Sequence, residues 1–193
     1  MTDGQRHALE REYGLTKDEI LDAINRRFRA KVTLEGAVAE VHLGKHIQEL
    51  QVAGAIASFE VHDQDGYPDY SIWLNGKPDA PLRVECKNVR NSDEAYRKDG
   101  EIIAYKVETQ KTRASKSDKS SRFYSFTQFE ILAVCLGKKT HDWTQFMFIE
   151  SKNLAKHTQF QLKMAVMHPV PLPSSHVVPP WYTSLQCLIA ELD

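Results

Sequence analysis

The order of elements read along the chain predicts an α/β protein: a mixed β-sheet flanked by helices. Three observations carry that expectation. Two N-terminal stretches place apolar residues at helical spacing. A central stretch alternates apolar and polar residues on either side of Asn75-Gly76, as a β-hairpin does. Further short apolar runs follow, separated by turn residues and closed by an amphipathic C-terminal segment.

The elements follow in order. TKDEILDAINRRFR opens with Thr16 and Glu19 at capping-box spacing, and Ile20, Leu21, Ile24 and Phe28 then recur on one helical face, predicting a helix over 17–29. LEGAVAEVHLGKHIQELQVAGAI predicts a second helix with Val38, Val41, Leu43, Ile47 and Leu50 as its apolar positions. Gly44 weakens its middle and Gly54 stands near its end. SFEVHDQDGYP reads as a short strand or connector. DYSIWL and LRVECKNV form the hairpin, and AYKVETQ a third strand. FTQFEILAVCLG predicts a compact helix stopped by Gly137. WTQFMFIE and QLKMAVM predict two more strands. PVPLPSSHVVPP is a proline-rich connector without regular structure, and WYTSLQCLIAEL a closing helix with Pro180 at its start. The organisation expected is a helical arm over 1–34, a core over 35–170, and a connector and helix over 171–193 packed on that core.

Composition narrows the function classes. With 193 residues, 41% hydrophobic and 26% charged, the chain is long enough and apolar enough to fold around a core rather than stay disordered. No apolar run approaches the roughly 20 residues of a membrane span, and the first residues are too polar for a secretory signal. Cys86, Cys135 and Cys187 are odd in number and widely spaced, against a disulfide framework or zinc knuckle, so a cytoplasmic setting is expected. His42 and His46 stand four apart, but HLGKH lacks the glutamate of a zinc-protease motif. Net charge is -1, so a polyanion partner is not announced globally; locally, KTRASKSDKSSR over 111–122 carries five cations and one acid. It reads either as a solvated loop or as a strip that tracks phosphates.

The hairpin carries the chemistry. Residues two apart in a strand share a face, so Leu82, Val84 and Cys86 point to the core while Arg83, Glu85 and Lys87 form a charged row opposite. The loop is centred near position 77, which places Asp69 or its neighbour across from Glu85. Asp79 lies six residues before Glu85, roughly 20 Å away in an extended chain at about 3.3 Å per residue, and reads as a turn residue after Pro78. Asp69, Glu85 and Lys87 thus converge. Two close carboxylates repel, and a hard divalent cation such as Mg²⁺ removes the conflict. Beside such an ion, Lys87 would position or deprotonate a water, or offset phosphate charge, in metal-assisted hydrolysis. The plainer reading is a surface hairpin with a cross-strand ion pair worth about 0–1 kcal/mol.

Pro68-Asp69 followed by Glu85-Cys86-Lys87 resembles the signature of the PD-(D/E)XK, or restriction endonuclease-like, nucleases. The resemblance covers roughly 35–167 and includes the helix before the hairpin. It implies a restriction endonuclease-like core in which Asp69 and Glu85 bind Mg²⁺, with Mn²⁺ as a substitute, and Lys87 orients the attacking water. It implies that an acid of the first core helix joins the metal shell: Glu40 resembles that position, with Glu49 in reserve. It implies that Gln110, Lys111, Arg113, Lys116 and Arg122 touch DNA, the alternative for Arg122 being a cation stacked on Phe123 or Tyr124. The function implied is a Mg²⁺-dependent endonuclease of the restriction type on double-stranded DNA; because one chain supplies one site and a duplex has two strands, a homodimer is expected, and the lack of a long apolar run predicts no membrane association. The alternatives are a nucleic-acid-binding subunit inactive alone, or a junction-resolving or repair nuclease.

Overall fold

A computed structural model describes residues 7–64, 66–91, 93–111 and 115–192, without the side chain of Lys119. The chain divides into two compact units, Met1–Val38 and Ala39–Asp193.

In the first unit, α1 (Ala8–Tyr13) and α2 (Lys17–Asn25) are short and rest on their caps. The capping box expected at Thr16 forms: Thr16 Oγ1 accepts from the Glu19 N–H at 3.3 Å, and Glu19 Oε2 accepts from the Thr16 N–H at 2.8 Å. His7 and Glu10 do the same for α1. Neither helix buries a residue; Leu21 is 56% exposed. The helix expected over 17–29 is broken. The Arg27 N–H bonds the Ile24 carbonyl at 3.1 Å, a tightened final turn, and α3 (Phe28–Val52) starts anew.

In the second unit α3 buries Ala39, Leu43 and Ile47, four residues apart on one stripe. Val41, expected on the apolar face, is 58% exposed. A six-stranded sheet has the order β1 (Ser58–Val61), β2 (Tyr70–Trp73), β3 (Leu82–Asn88), β6 (Ile131–Cys135), β7 (Phe146–Glu150), β9 (Trp181–Tyr182). β3 and β6 are parallel and every other pair is antiparallel, so the sheet is mixed. A three-stranded sheet has the order β4 (Ala95–Lys98), β5 (Glu101–Glu108), β8 (Met167–Val170). The protein is therefore α/β, with a mixed sheet, a smaller second sheet and helices.

Two apolar cores lie on the two faces of the large sheet. On one face, α3 and α5 (Leu185–Leu192) pack on Val84, Cys86, Ile131, Ala133, Phe146 and Phe148. On the other, Val107 of β5 and Val170 of β8 join Phe129 and Met164 over Leu132, Val134, Met147 and Ile149. Helices thus cover one face and the small sheet covers the other.

Three further expectations need correcting, and one element was not expected. The run over 126–137 is not a helix; it contains β6, buried along its whole length. A parallel strand covered on both faces reads as a continuous apolar run, which periodicity does not separate from a buried helix. The strand expected over 161–167 falls instead on Met167–Val170 and takes in Pro169, opposite Lys106. β8 is an edge strand, where a missing N–H is tolerated. Trp181 and Tyr182 form β9 against β7, so the closing helix begins only at Leu185. Finally, β4 and β5 make an unforeseen hairpin around Asp99-Gly100, whose φ values of 52° and 86° suit a tight turn of that composition.

Candidate active site

The hairpin places its acids as its register requires. Tyr70 pairs with Val84, Ser71 with Arg83 and Ile72 with Leu82. One further step along that register sets Asp69 opposite Glu85. Asp69 Oδ2 accepts from the Cys86 N–H at 2.6 Å, which fixes the carboxylate against β3. Asp69, Glu85 and Glu40 line one cavity of about 690 Å³, together with Gln64, Tyr67, Lys111, Tyr124 and Phe129.

Alternation in β3 separates the faces. Val84 and Cys86 belong to the core under the helices, and Glu85 and Lys87 point the other way. That face is roofed: Glu85 is only 5% exposed. Lys87 Nζ donates to Glu85 Oε1 and, at 3.1 Å, to the Cys86 carbonyl. Tyr124 Oη donates to the same Glu85 Oε1 at 2.5 Å. Arg83, the third member of the charged row, is taken up by Glu130, with Nη2 at 2.5 Å from Oε1.

These contacts set the protonation states. Burial, with the Glu85 charge beside it, pushes the Asp69 carboxyl from 3.8 up to about 7; Lys87 and the Cys86 N–H pull the other way. Burial also raises Glu40, opposed by Lys87 and reinforced by Glu85. For Lys87, burial works against the charge, but Glu85 and then Tyr124 and Asp69 outweigh it. The ammonium is held above its usual range. Burial raises the Tyr124 phenol as well. At neutral pH the site therefore holds a neutral phenol, a firm ammonium and a carboxyl poised between states.

The donor set suits a hard divalent cation. Both contacts to Glu85 fall on Oε1 and the contact to Asp69 falls on Oδ2. Among the described residues, Glu85 Oε2 and Asp69 Oδ1 have no hydrogen bond. One lysine stands beside two carboxylates, and burial followed by the Glu85 charge raises Asp69. No group of three or more His, Cys, Asp or Glu is arranged to hold a metal among the described residues. Mg²⁺ here would therefore rest on two carboxylates and water, a set it commonly accepts. Glu40 belongs to the cavity wall rather than to a three-carboxylate cluster.

The other expected residues separate. Glu49 is exposed, 3.8 Å from His46, and lines a different pocket with Leu50 and Thr144. Lys111 reaches the cavity, its Nζ 5.7 Å from the centroid of the Tyr124 ring. Gln110 bridges Phe123, and the Lys111 N–H bonds the Arg122 carbonyl at 2.8 Å, so the loop is closed at its base. Lys116 is exposed on that loop. Arg122 donates from Nε to the Lys111 carbonyl at 3.1 Å. Among the described residues the cations over the Tyr124 ring are Lys87 and Lys111, while Phe123 packs on His157 at 4.4 Å. Arg113 lies outside the described residues. Tyr124 is the site residue that the sequence reading missed. Its only local signal is the aromatic cluster RFYSF; the Gln110–Phe123 bridge is what brings it back beside Lys111 and over Glu85.

No protein-family model matches the chain, and no curated protein matches it. Among solved structures it is similar to that of a bacterial homing endonuclease, I-Ssp6803I, at 15% identity and a TM-score of 0.48, over 76% of this chain and 83% of that one.

Proposed function

We propose that this chain is a Mg²⁺-dependent endonuclease of the PD-(D/E)XK, restriction-like kind that hydrolyses phosphodiester bonds in double-stranded DNA, with Mn²⁺ able to substitute. The observation that carries the reading is the convergence of Asp69 and Glu85 on one cavity. They stand at opposed positions of a hairpin, each with one oxygen that has no hydrogen bond among the described residues, and Lys87 is bonded to the second. Mg²⁺, when bound, supplies positive charge that polarises a phosphodiester and favours an attacking hydroxide.

This chain's own residues then have distinct tasks. Asp69 and Glu85 would hold the ion. Lys87, whose ammonium donates to Glu85, would act as a donor that orients the attacking water or meets charge developing on phosphate. Glu40, raised by burial, faces the same cavity and is the acid nearest to a supporting role. Lys111 stands at the cavity, with Lys116 and Arg122 on the same loop, where they neutralise DNA phosphates; Gln110 at the loop base and Arg113 complete the proposed contacts. One chain supplies one such site, and cutting both strands of a duplex requires two, so a two-fold homodimer is part of the proposal.

The test is plasmid cleavage with and without Mg²⁺. Wild type is expected to cut only with the ion. Lys87→Ala is expected to lose at least about a hundredfold in rate while binding DNA as before. Because that change leaves Glu85 with one donor fewer, its thermal unfolding is measured alongside. Binding without cutting by wild type and variant alike would sink the nuclease reading in favour of a DNA-binding subunit inactive alone. Faster cutting of branched than of linear duplex would make it a junction-resolving or repair nuclease.

A further inference from the structure

Tyr124 stands outside the signature that singled out Asp69, Glu85 and Lys87, yet it grips the carboxylate on which the proposed chemistry depends. Its hydroxyl donates to Glu85 Oε1 at 2.5 Å, the oxygen that also accepts from Lys87 Nζ. Its ring lies 5.6 Å from Lys87 Nζ and 5.7 Å from Lys111 Nζ, measured to the centroid. Its own placement is fixed independently of those charges. The ring meets Phe129 edge to face at 5.3 Å, and Phe129 is 1% exposed. The Tyr124 carbonyl accepts from the Met164 N–H at 2.9 Å.

A glutamate carboxylate turns easily about its last torsion, because that torsion is broad and two-fold. Left alone, its two oxygens exchange roles. Two donors on one oxygen remove that equivalence. We propose that Tyr124 is a positioning residue: with Lys87 it occupies Glu85 Oε1 and so presents Oε2 to a divalent cation, while its ring face steadies Lys111 at the cavity. The proposal rests on the metal-dependent reading of the site. Partners of this kind, one step removed from a metal, typically change its affinity by about 10–100-fold when removed.

Tyr124→Phe deletes the hydroxyl and keeps the ring. In the metal-free crystal structure of this variant, the Glu85 carboxylate is expected to be rotated or split between two orientations. Mg²⁺ affinity by calorimetry is expected to fall about tenfold, and kcat to fall with KM for DNA unchanged. Tyr124→Leu, which also removes the ring, is expected to raise KM as well. An unchanged Glu85 orientation together with wild-type Mg²⁺ affinity in Tyr124→Phe overturns the proposal. Failure of the nuclease reading is seen separately, as wild type that never cuts with Mg²⁺. In that event the metal-free orientation of Glu85 in Tyr124→Phe still decides for or against positioning.

Discussion

Charge accounting at single residues separates the two acids of the site. Glu85 is buried but has two donors; Asp69 is half-buried with one backbone donor and a like charge for a neighbour. Its carboxyl titrates from 3.8 unfolded up to about 7 folded. Between those values the folded protein binds more protons than the unfolded one. Unfolding free energy contributed by this group therefore falls as pH rises through that window, no more steeply than about 1.4 kcal/mol per pH unit, and is flat above it. The metal-free protein is expected to lose melting temperature between about pH 4 and about pH 7 on this account. Asp69→Asn is expected to remove that decline, and Mg²⁺ to restore stability at the upper end in wild type only. Melting curves of both proteins across that range, with and without Mg²⁺, check it. An equal decline in both would assign the loss to other groups.

At the scale of elements, α3 and the hairpin approach unusually closely. A Cβ built on Gly44 would lie 2.5 Å from the Tyr70 hydroxyl, which donates to the Glu40 carbonyl at 2.8 Å. Gly44 is thus where a tyrosine next to Asp69 crosses the helix, not merely a weak point in it. Alanine there gains about 0.8–1.0 kcal/mol in helix propensity and costs about 1–3 kcal/mol in overpacking. Gly44→Ala is expected to be net destabilising by about 1 kcal/mol, read as a lower urea midpoint with an unchanged slope. A midpoint at or above that of wild type would show that Tyr70 moves away without cost. The same closeness links Glu40, on the helix, to Asp69, at the head of β2, across a single side chain.

For the molecule as a whole, the connection between parallel β3 and β6 decides the site. A parallel pair needs a crossover of a dozen or more residues. Here that crossover is not a helix: it runs through β4, β5 and the basic loop, and returns with Tyr124 just before β6. The crossover therefore both roofs the second face of the sheet and delivers the donor to Glu85. Light scattering of the proposed nuclease on duplex DNA is expected to give the mass of two chains plus that of the duplex; one chain per duplex that is cut in both strands would sink the homodimer. Among the described residues no helix is long and apolar enough to cross a membrane.

What could be read without coordinates was local. The capping box at Thr16, the alternation of β3 and the loop centre that pairs position 69 with position 85 depend on residues only a few places apart, or on counting back from one turn. Chain geometry alone sets such relations, because side-chain direction repeats every two residues in a strand. Tertiary structure decided the rest. Ile131 to Cys135 became a strand because both faces found cover, and Glu85 became buried because the crossover folded over it. Tyr124 reached it across 39 positions. These outcomes depend on where the chain returns in space; periodicity marks which face is buried but not which distant segment covers it.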